Sequence, residues 1–191
     1  MNYKKSIGVL LVLVLVIVAG SFLSKDKEID KKVDSTPNEE EMMMASMSVS
    51  GEKDFIEKMI PHHQEAIDTA REVLERGGEI TEVKNLALAI IDAQEAEIKD
   101  MKLWYQDWYG EPYKENGTYR EMMRDLSPYS GAELDLVFVE DMIMHHMGAM
   151  MMAQQVTAFS ERMEMVKLSQ DVLVNQREEI ILMQQILQEN L

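Results

Sequence analysis

The chain is short, acidic and free of cysteine, and each of these properties excludes a class of protein. Its 191 residues leave room for one domain and its tails. A formal net charge of −16 argues against a nucleic-acid partner, because phosphates require Lys and Arg. The lack of cysteine excludes disulfides and thiolate metal sites, but 18 methionines can act as flexible core filling or as soft thioether ligands.

The N-terminus has the pattern of an export signal. Lys4 and Lys5 precede an uncharged apolar run over residues 7–23, and polar sequence follows. We expect residues 1–24 to be a transmembrane signal anchor, or a signal peptide if the chain is cleaved near Ala19. The protein would then be exported, with its domain outside the cytoplasm. It would be anchored to the cell membrane, or periplasmic or secreted after cleavage.

Residues 25–51 are predicted to form a flexible acidic tether, because they are rich in charge and lack an apolar period. This segment contains Met42, Met43, Met44 and Met47. A flexible segment has no core to fill, so one interpretation is a mobile arm that captures soft metal ions. The alternative is a short helical extension that packs on the domain.

From residue 54 onward the sequence predicts helices at about 54–76, 81–108, 131–159 and 161–187, with a short helix at 119–126 in the connector. The stretch "FIEKMIPHHQEA" recurs at one fixed offset as "FVEDMIMHHMGA", and "QEAEIKDM" recurs as "QREEIILM". A repeated helical hairpin cannot bury its apolar stripe alone. We therefore predict an all-α four-helix bundle over residues 52–191, with repeats at about 54–108 and 131–187.

All four histidines of the chain lie in the two copies of the motif. Helical spacing places His63 and His146 in the centre of the apolar stripes and His62 and His145 on their flanks, where access should be easier. A methionine stands four residues before each central histidine and shares its face. Imidazole and thioether without thiolate favour copper, especially Cu(I). The predicted metal ligands are Met59, His62, His63, Met142, His145 and His146.

Further candidate ligands lie on neighbouring helical faces. The second helix of each hairpin carries Gln94 and Met101, or Gln176 and Met183, in its inward apolar stripe, with Glu97 or Glu179 on the border of that stripe. A second stripe in the third helix contains Met144, Met147 and Met151. The alternatives are a hydrogen-bonded network of the central histidines with these Gln and Glu side chains, and packing of the second Met stripe against the tether or another copy in a homo-oligomer.

The stretches "MIPHHQEAIDTA", "QEAEIKDMKLW", "DLVFVEDMIMHHMGAMMMA" and "QREEIILM" resemble the domain of unknown function 305 family, over about residues 52–187. This family includes CopM-like exported copper-binding proteins. The resemblance implies a ferritin-like four-helix bundle, export and, in some members, copper binding and copper tolerance. The family pattern places Asp three residues before the Phe. Asp135 fits this pattern, whereas the first copy has Glu52.

The leading prediction is an extracytoplasmic protein without enzymatic activity. It would bind copper, as Cu(I) or Cu(II), through Met and His for buffering, tolerance or transfer, and its protein donor or acceptor is not indicated. One alternative is a helical interaction module in which the histidines are structural. The other is a ferritin-like di-iron oxidase, but that chemistry uses Glu-x-x-His, and no Glu stands three residues before any His.

Overall fold

The fold was obtained as a computed structural model, which describes Met42 and residues 45–191. These residues form four α-helices and no strand, which confirms the prediction of an all-helical chain with four helices. The short helix predicted at 119–126 is absent, because Met122 and Met123 donate their backbone N–H groups to the Glu65 side chain instead. The helices are α1 (Glu52–Arg76), α2 (Thr81–Tyr109), α3 (Gly131–Thr157) and α4 (Met163–Asn190).

The helices pack as two hairpins, with α1 along α2 and α3 along α4. The hairpins meet mainly through α1 and α3, and α2 contacts α4 to a smaller extent. This arrangement follows the sequence repeat, because α1 and α3 carry the two copies of the Met-Ile-x-His-His motif. Gly110 ends α2 in the left-handed conformation (φ 76°), which favours glycine at this position.

A carboxylate in each repeat holds the loop of the other hairpin. The buried Asp135 of α3 accepts hydrogen bonds from the backbone N–H groups of Gly78 (2.5 Å) and Ile80 (2.8 Å), at the start of α2. A side chain at Gly77 would collide with the same carboxylate. Glu52, at the equivalent place in the first repeat, binds the loop between α3 and α4 through Ser160 and Arg162. The Asp-to-Glu difference therefore preserves this cross-hairpin bond.

The apolar core consists of two clusters with a layer of histidines between them. One cluster contains Phe55 and Met59 at the start of α1 with Ala149 and Met152 from α3. The other contains Phe138 and Met142 with the later part of α1, including Ala66. The histidine pairs follow the methionine and precede the alanine in both helices, so they lie where one cluster gives way to the other. Seven methionines of the core are buried: Met47, Met59, Met101, Met142, Met152, Met165 and Met183.

The packed domain begins before the boundary predicted at residue 52. Met47 and Val49 are buried in the core, and Met42 is half-buried, with its Sδ 3.8 Å from Nη1 of Arg120. At this end of the predicted tether, the packed-extension alternative describes the chain better than a mobile arm. The rest of the tether, including Met43 and Met44, lies outside the described residues, as does the predicted export signal over residues 1–24. None of the described helices is both long and apolar enough to cross a membrane.

Candidate metal centre

All four histidines are buried, each with no more than 1% of its surface exposed. This corrects the expectation that His62 and His145 would be more accessible than His63 and His146. Helical spacing places His62 and His145 on the flanks of their own apolar stripes. The flanks are nevertheless buried, because α1 and α3 pack against each other and Tyr119 of the connector covers the remaining side. The histidines therefore form an interior layer, and a bound ion would lie inside the bundle.

The central histidines form equivalent carboxylate pairs in the two hairpins. His63 Nε2 lies 2.7 Å from Glu97 Oε2, and His146 Nε2 lies 2.6 Å from Glu179 Oε2. The predicted network is thus present for the two glutamates. It does not include the glutamines, because the buried Oε1 atoms of Gln94 and Gln176 have no hydrogen-bond partner within the described chain. These pairs can fix the orientation of the central imidazoles.

The flanking histidines meet each other across the hairpin interface. The ring centroids of His62 and His145 are 3.7 Å apart, with an angle of 39° between the ring planes. Burial, with repulsion from a protonated His145 as a second cause, lowers the pKa of His62 well below its ordinary value. Burial also lowers the pKa of His145, although the neighbouring Glu65 opposes this change. Both rings are therefore neutral near pH 7, and neutral imidazole is the form that binds a metal.

Glu65 connects the histidine layer to the connector. Its Oε2 lies 3.2 Å from His145 Nε2 and accepts a hydrogen bond from the Tyr119 hydroxyl. Its Oε1 accepts the N–H groups of Met122 (2.7 Å) and Met123 (2.9 Å). Burial opposes its ionisation, but the hydrogen bonds from His145 and Tyr119 hold the pKa of Glu65 below its usual value. Sequence reasoning missed Glu65, although its position three residues after His62, on the same helical face, was an available signal.

His62 is the histidine whose polar atoms remain unused. Neither of its ring nitrogens has a hydrogen-bond partner among the residues that the structure describes. The ring lines a cavity of about 80 Å³ together with Met47, Met152 and Tyr119. Buried polar atoms normally find a partner, because leaving them unpaired costs free energy. The other three histidines each have one unpartnered nitrogen, Nδ1, so His62 is distinguished by having two and is a candidate ligand.

Comparison with known proteins identifies the family. A family model described as "Domain of unknown function (DUF305)" matches residues 52–187. The chain belongs to the DUF305 family. Sequence comparison with curated proteins finds no match. Among solved structures, CopM in its Cu(I)-bound form is 40% identical, covers 73% of this chain and 97% of its own, and has a TM-score of 0.67.

Other solved DUF305 relatives agree with this assignment. CopM in its Cu(II)-bound form is 39% identical, covers 75% of this chain and all of its own, and has a TM-score of 0.67. A co-crystallised Ag-bound form of CopM has the same identity, coverage and TM-score as the Cu(I)-bound form. A DUF305 fragment from Deinococcus radiodurans is 27% identical over 72% of this chain and 95% of its own, with a TM-score of 0.62.

The methionines predicted as ligands in this DUF305 chain fall into two groups. Those inside the bundle are fully buried in the two core clusters, whereas the methionines of the second α3 stripe are partly or largely exposed. Met144 and Met147 are 50% and 45% exposed, and Met151 is half-buried. Met151 packs against the first core cluster, so only Met144 and Met147 of this stripe face outward. The inward group is Met59, Met101, Met142 and Met183.

The available donors fit a soft metal better than a hard one. Within the described residues, no three His, Asp or Glu side chains form a group that could hold a metal ion by themselves. The buried methionines of the core are additional donors that could complete a site with thioether sulfur. Imidazole and thioether donors suit copper, whereas Mg and Ca require oxygen ligands.

Proposed function

We propose that this DUF305 protein is an exported copper-binding protein that holds Cu(I) inside its helical bundle with His and Met side chains. The observation that carries this proposal is the buried His62 ring, which has two unpartnered nitrogens, stacks on His145 and lies beside thioethers. The copper- and silver-bound forms of the related CopM support the choice of metal. The same proposal includes a ferritin-like arrangement of the four helices.

The cellular role that fits these features is copper buffering, tolerance or transfer outside the cytoplasm. The apolar N-terminal run would anchor the chain in the cell membrane or direct its export. The acidic surface would attract cations, and burial of the ion would separate it from solvent. This role requires a copper donor or acceptor, and the outward Met144 and Met147 are the exposed thioethers of α3 that such a partner could reach.

A chelator competition on full-length protein tests the proposal. In the His62→Phe variant an aromatic ring remains, but both nitrogens are lost. Since neither nitrogen has a partner in the described chain, stability should be unchanged or slightly higher. The affinity for Cu(I), measured against a competing Cu(I) chelator, should fall at least about tenfold, because even indirect partners of a metal contribute 10- to 100-fold.

The matched control is Ser169→Ala. It also removes a buried polar atom without a hydrogen-bond partner in the described chain, but from α4 rather than from the histidine pair. This variant should bind Cu(I) like the original protein. If a folded His62→Phe variant retains full affinity, His62 is not a ligand and the copper proposal loses its main support.

A second candidate is a helical interaction module with structural histidines. The pairing of His63 with Glu97 and of His146 with Glu179 favours it, because these bonds form without a metal. This candidate predicts that neither variant changes copper affinity, and that breaking the Glu97 or Glu179 pair lowers stability. A di-iron oxidase is not proposed, because no Glu stands three residues before any His in this sequence.

A further inference from the structure

The two copies of the motif differ at the position that faces the flanking histidines. Glu65 in the first copy corresponds to Gly148 in the second, at the same offset that relates His62 to His145. Glu65 places a carboxylate 3.2 Å from His145. Gly148 has no side chain to offer to His62. The symmetry of the repeat is therefore broken at the edge of the stacked histidine pair.

Met47 occupies the space that this glycine leaves open. A side-chain carbon added to Gly148 would lie 3.0 Å from Met47 Sδ and 3.2 Å from His62 Nε2. The sulfur and the unpartnered nitrogen thus approach the same point above α3. Glycine inside a helix reduces its stability, so the position requires another justification. Met47 and His62 both lie so close to Gly148 that any side chain at this position would crowd them, which explains the glycine.

The segment that carries Met47 is fixed to α3 by a specific clamp. The Gln155 amide donates its Nε2–H to the Met47 carbonyl (2.8 Å) and accepts the Val49 N–H at its Oε1 (2.9 Å). Lys58 donates to the carbonyl of Ser48 at 2.5 Å. Only 4% of Met47 is exposed. The thioether is therefore held beside His62 by hydrogen bonds to its own backbone and to that of its neighbours.

We propose that Met47 and His62 are joint ligands of one soft monovalent cation, with Met152 on the wall of the same cavity. This inference rests on the proposed copper function and assigns a ligand from before the first helix, outside the residues matched by the family model. The donor set is neutral, with one imidazole and one or two thioethers. Soft neutral donors favour soft ions such as Cu(I) over Mg or Ca.

The two flanking histidines then have different chemical surroundings. His62 shares its cavity with the thioethers of Met47 and Met152, and Glu57, Lys58 and Arg120 line other parts of the same wall. His145 instead has the carboxylate of Glu65 at 3.2 Å. A carboxylate beside His145 gives that side a harder, negatively charged donor. The histidine layer is thus a pair of unequal half-sites, and the side of His62 and Met47 is the one that suits a monovalent soft ion.

The test uses silver(I) nitrate, which does not change oxidation state, and full-length protein with 13C-labelled methionine methyl groups. The Met47 methyl resonance should shift with the first equivalent of silver. Met47→Leu retains the side-chain volume and should keep the helicity, but it should lower silver affinity at least about tenfold, by the same reasoning as for other metal-site partners. Met165→Leu is the control, because Met165 is fully buried in the same core cluster.

A second pair of variants distinguishes loss of the metal site from misfolding of Met47→Leu. The methyl group of Gly148→Ala would fill the point between Met47 Sδ and His62 Nε2, so silver affinity should fall as in Met47→Leu. Gly51→Ala is the control, because no described atom lies within 4 Å of its added carbon. Unchanged affinity in either Met47→Leu or Gly148→Ala would overturn the inference. If His62→Phe still lowers silver affinity in that case, only Met47 is excluded as a ligand. If His62→Phe also leaves the affinity unchanged, the proposed copper function fails as well.

Discussion

Replacement of Asp135 by Ala should strongly destabilise the protein, because this carboxylate joins the two hairpins. The substitution leaves the buried N–H of Gly78 and the partly buried N–H of Ile80 without their acceptor. An unsatisfied buried donor costs about 1–3 kcal/mol and a partly buried one costs less, so the expected loss is roughly 2–5 kcal/mol of unfolding free energy. That is a large fraction of the typical total of about 5–15 kcal/mol.

The repeat provides a matched comparison for this measurement. Glu52→Ala removes the equivalent carboxylate, but its partners Ser160 and Arg162 can turn to water, so the loss should be about 1 kcal/mol or less. Asp135→Asn retains one acceptor and should lie between the two. Urea unfolding of metal-free protein, followed by helical circular dichroism, measures all three variants. Equal losses for Asp135→Ala and Glu52→Ala would refute the reasoning from buried donors.

Two further predictions concern the histidine layer and the connector. Burial lowers the pKa values of His62 and His145 below the unfolded value of about 6.5, so the folded state binds fewer protons. The urea midpoint of metal-free protein should therefore be constant above that pH and fall as the pH decreases below it. The fall should be smaller in His62→Phe, and an equal fall in this variant would contradict the assignment to His62. Glu65→Ala should release the connector, residues 110–130, and accelerate its limited proteolysis, whereas the exposed Glu121→Ala should not; equal rates would show that Glu65 does not hold the connector.

The helices and their pairing were predictable because the relevant signal is local and repeated. Apolar residues at helical spacing define each stripe, and Gly77 and Gly110 mark the ends of the first two helices. The fixed offset between the motif copies then relates the hairpins to each other. The inward direction of His63 and His146 followed from the same spacing. These features depend on the sequence of a single helix or on the sequence similarity between two helices.

The exposure of His62 and His145 could not be predicted in this way. A position on the flank of a stripe is buried or exposed according to what packs beside the helix, and here that is the other flanking histidine and the connector. The predicted helix at 119–126 failed for a related reason. Its local propensity was overcome by hydrogen bonds to Glu65, a residue more than fifty positions away. Long-range contacts of this kind leave no periodic signal in the sequence.

The two motif copies agree at positions that support the scaffold and differ at the position beside the flanking histidines. Where the position supports the scaffold, the copies agree in chemistry: Asp135 and Glu52 each bind the opposite loop, and the central histidines each pair with a glutamate. Where the position faces the flanking histidines, the copies differ, with Glu65 in one and Gly148 in the other. A scaffold built only for stability would gain nothing from an unpartnered imidazole in its interior. We therefore propose that the functional constraint lies on the His62 side of the layer, where two buried nitrogens have no partner in the described chain.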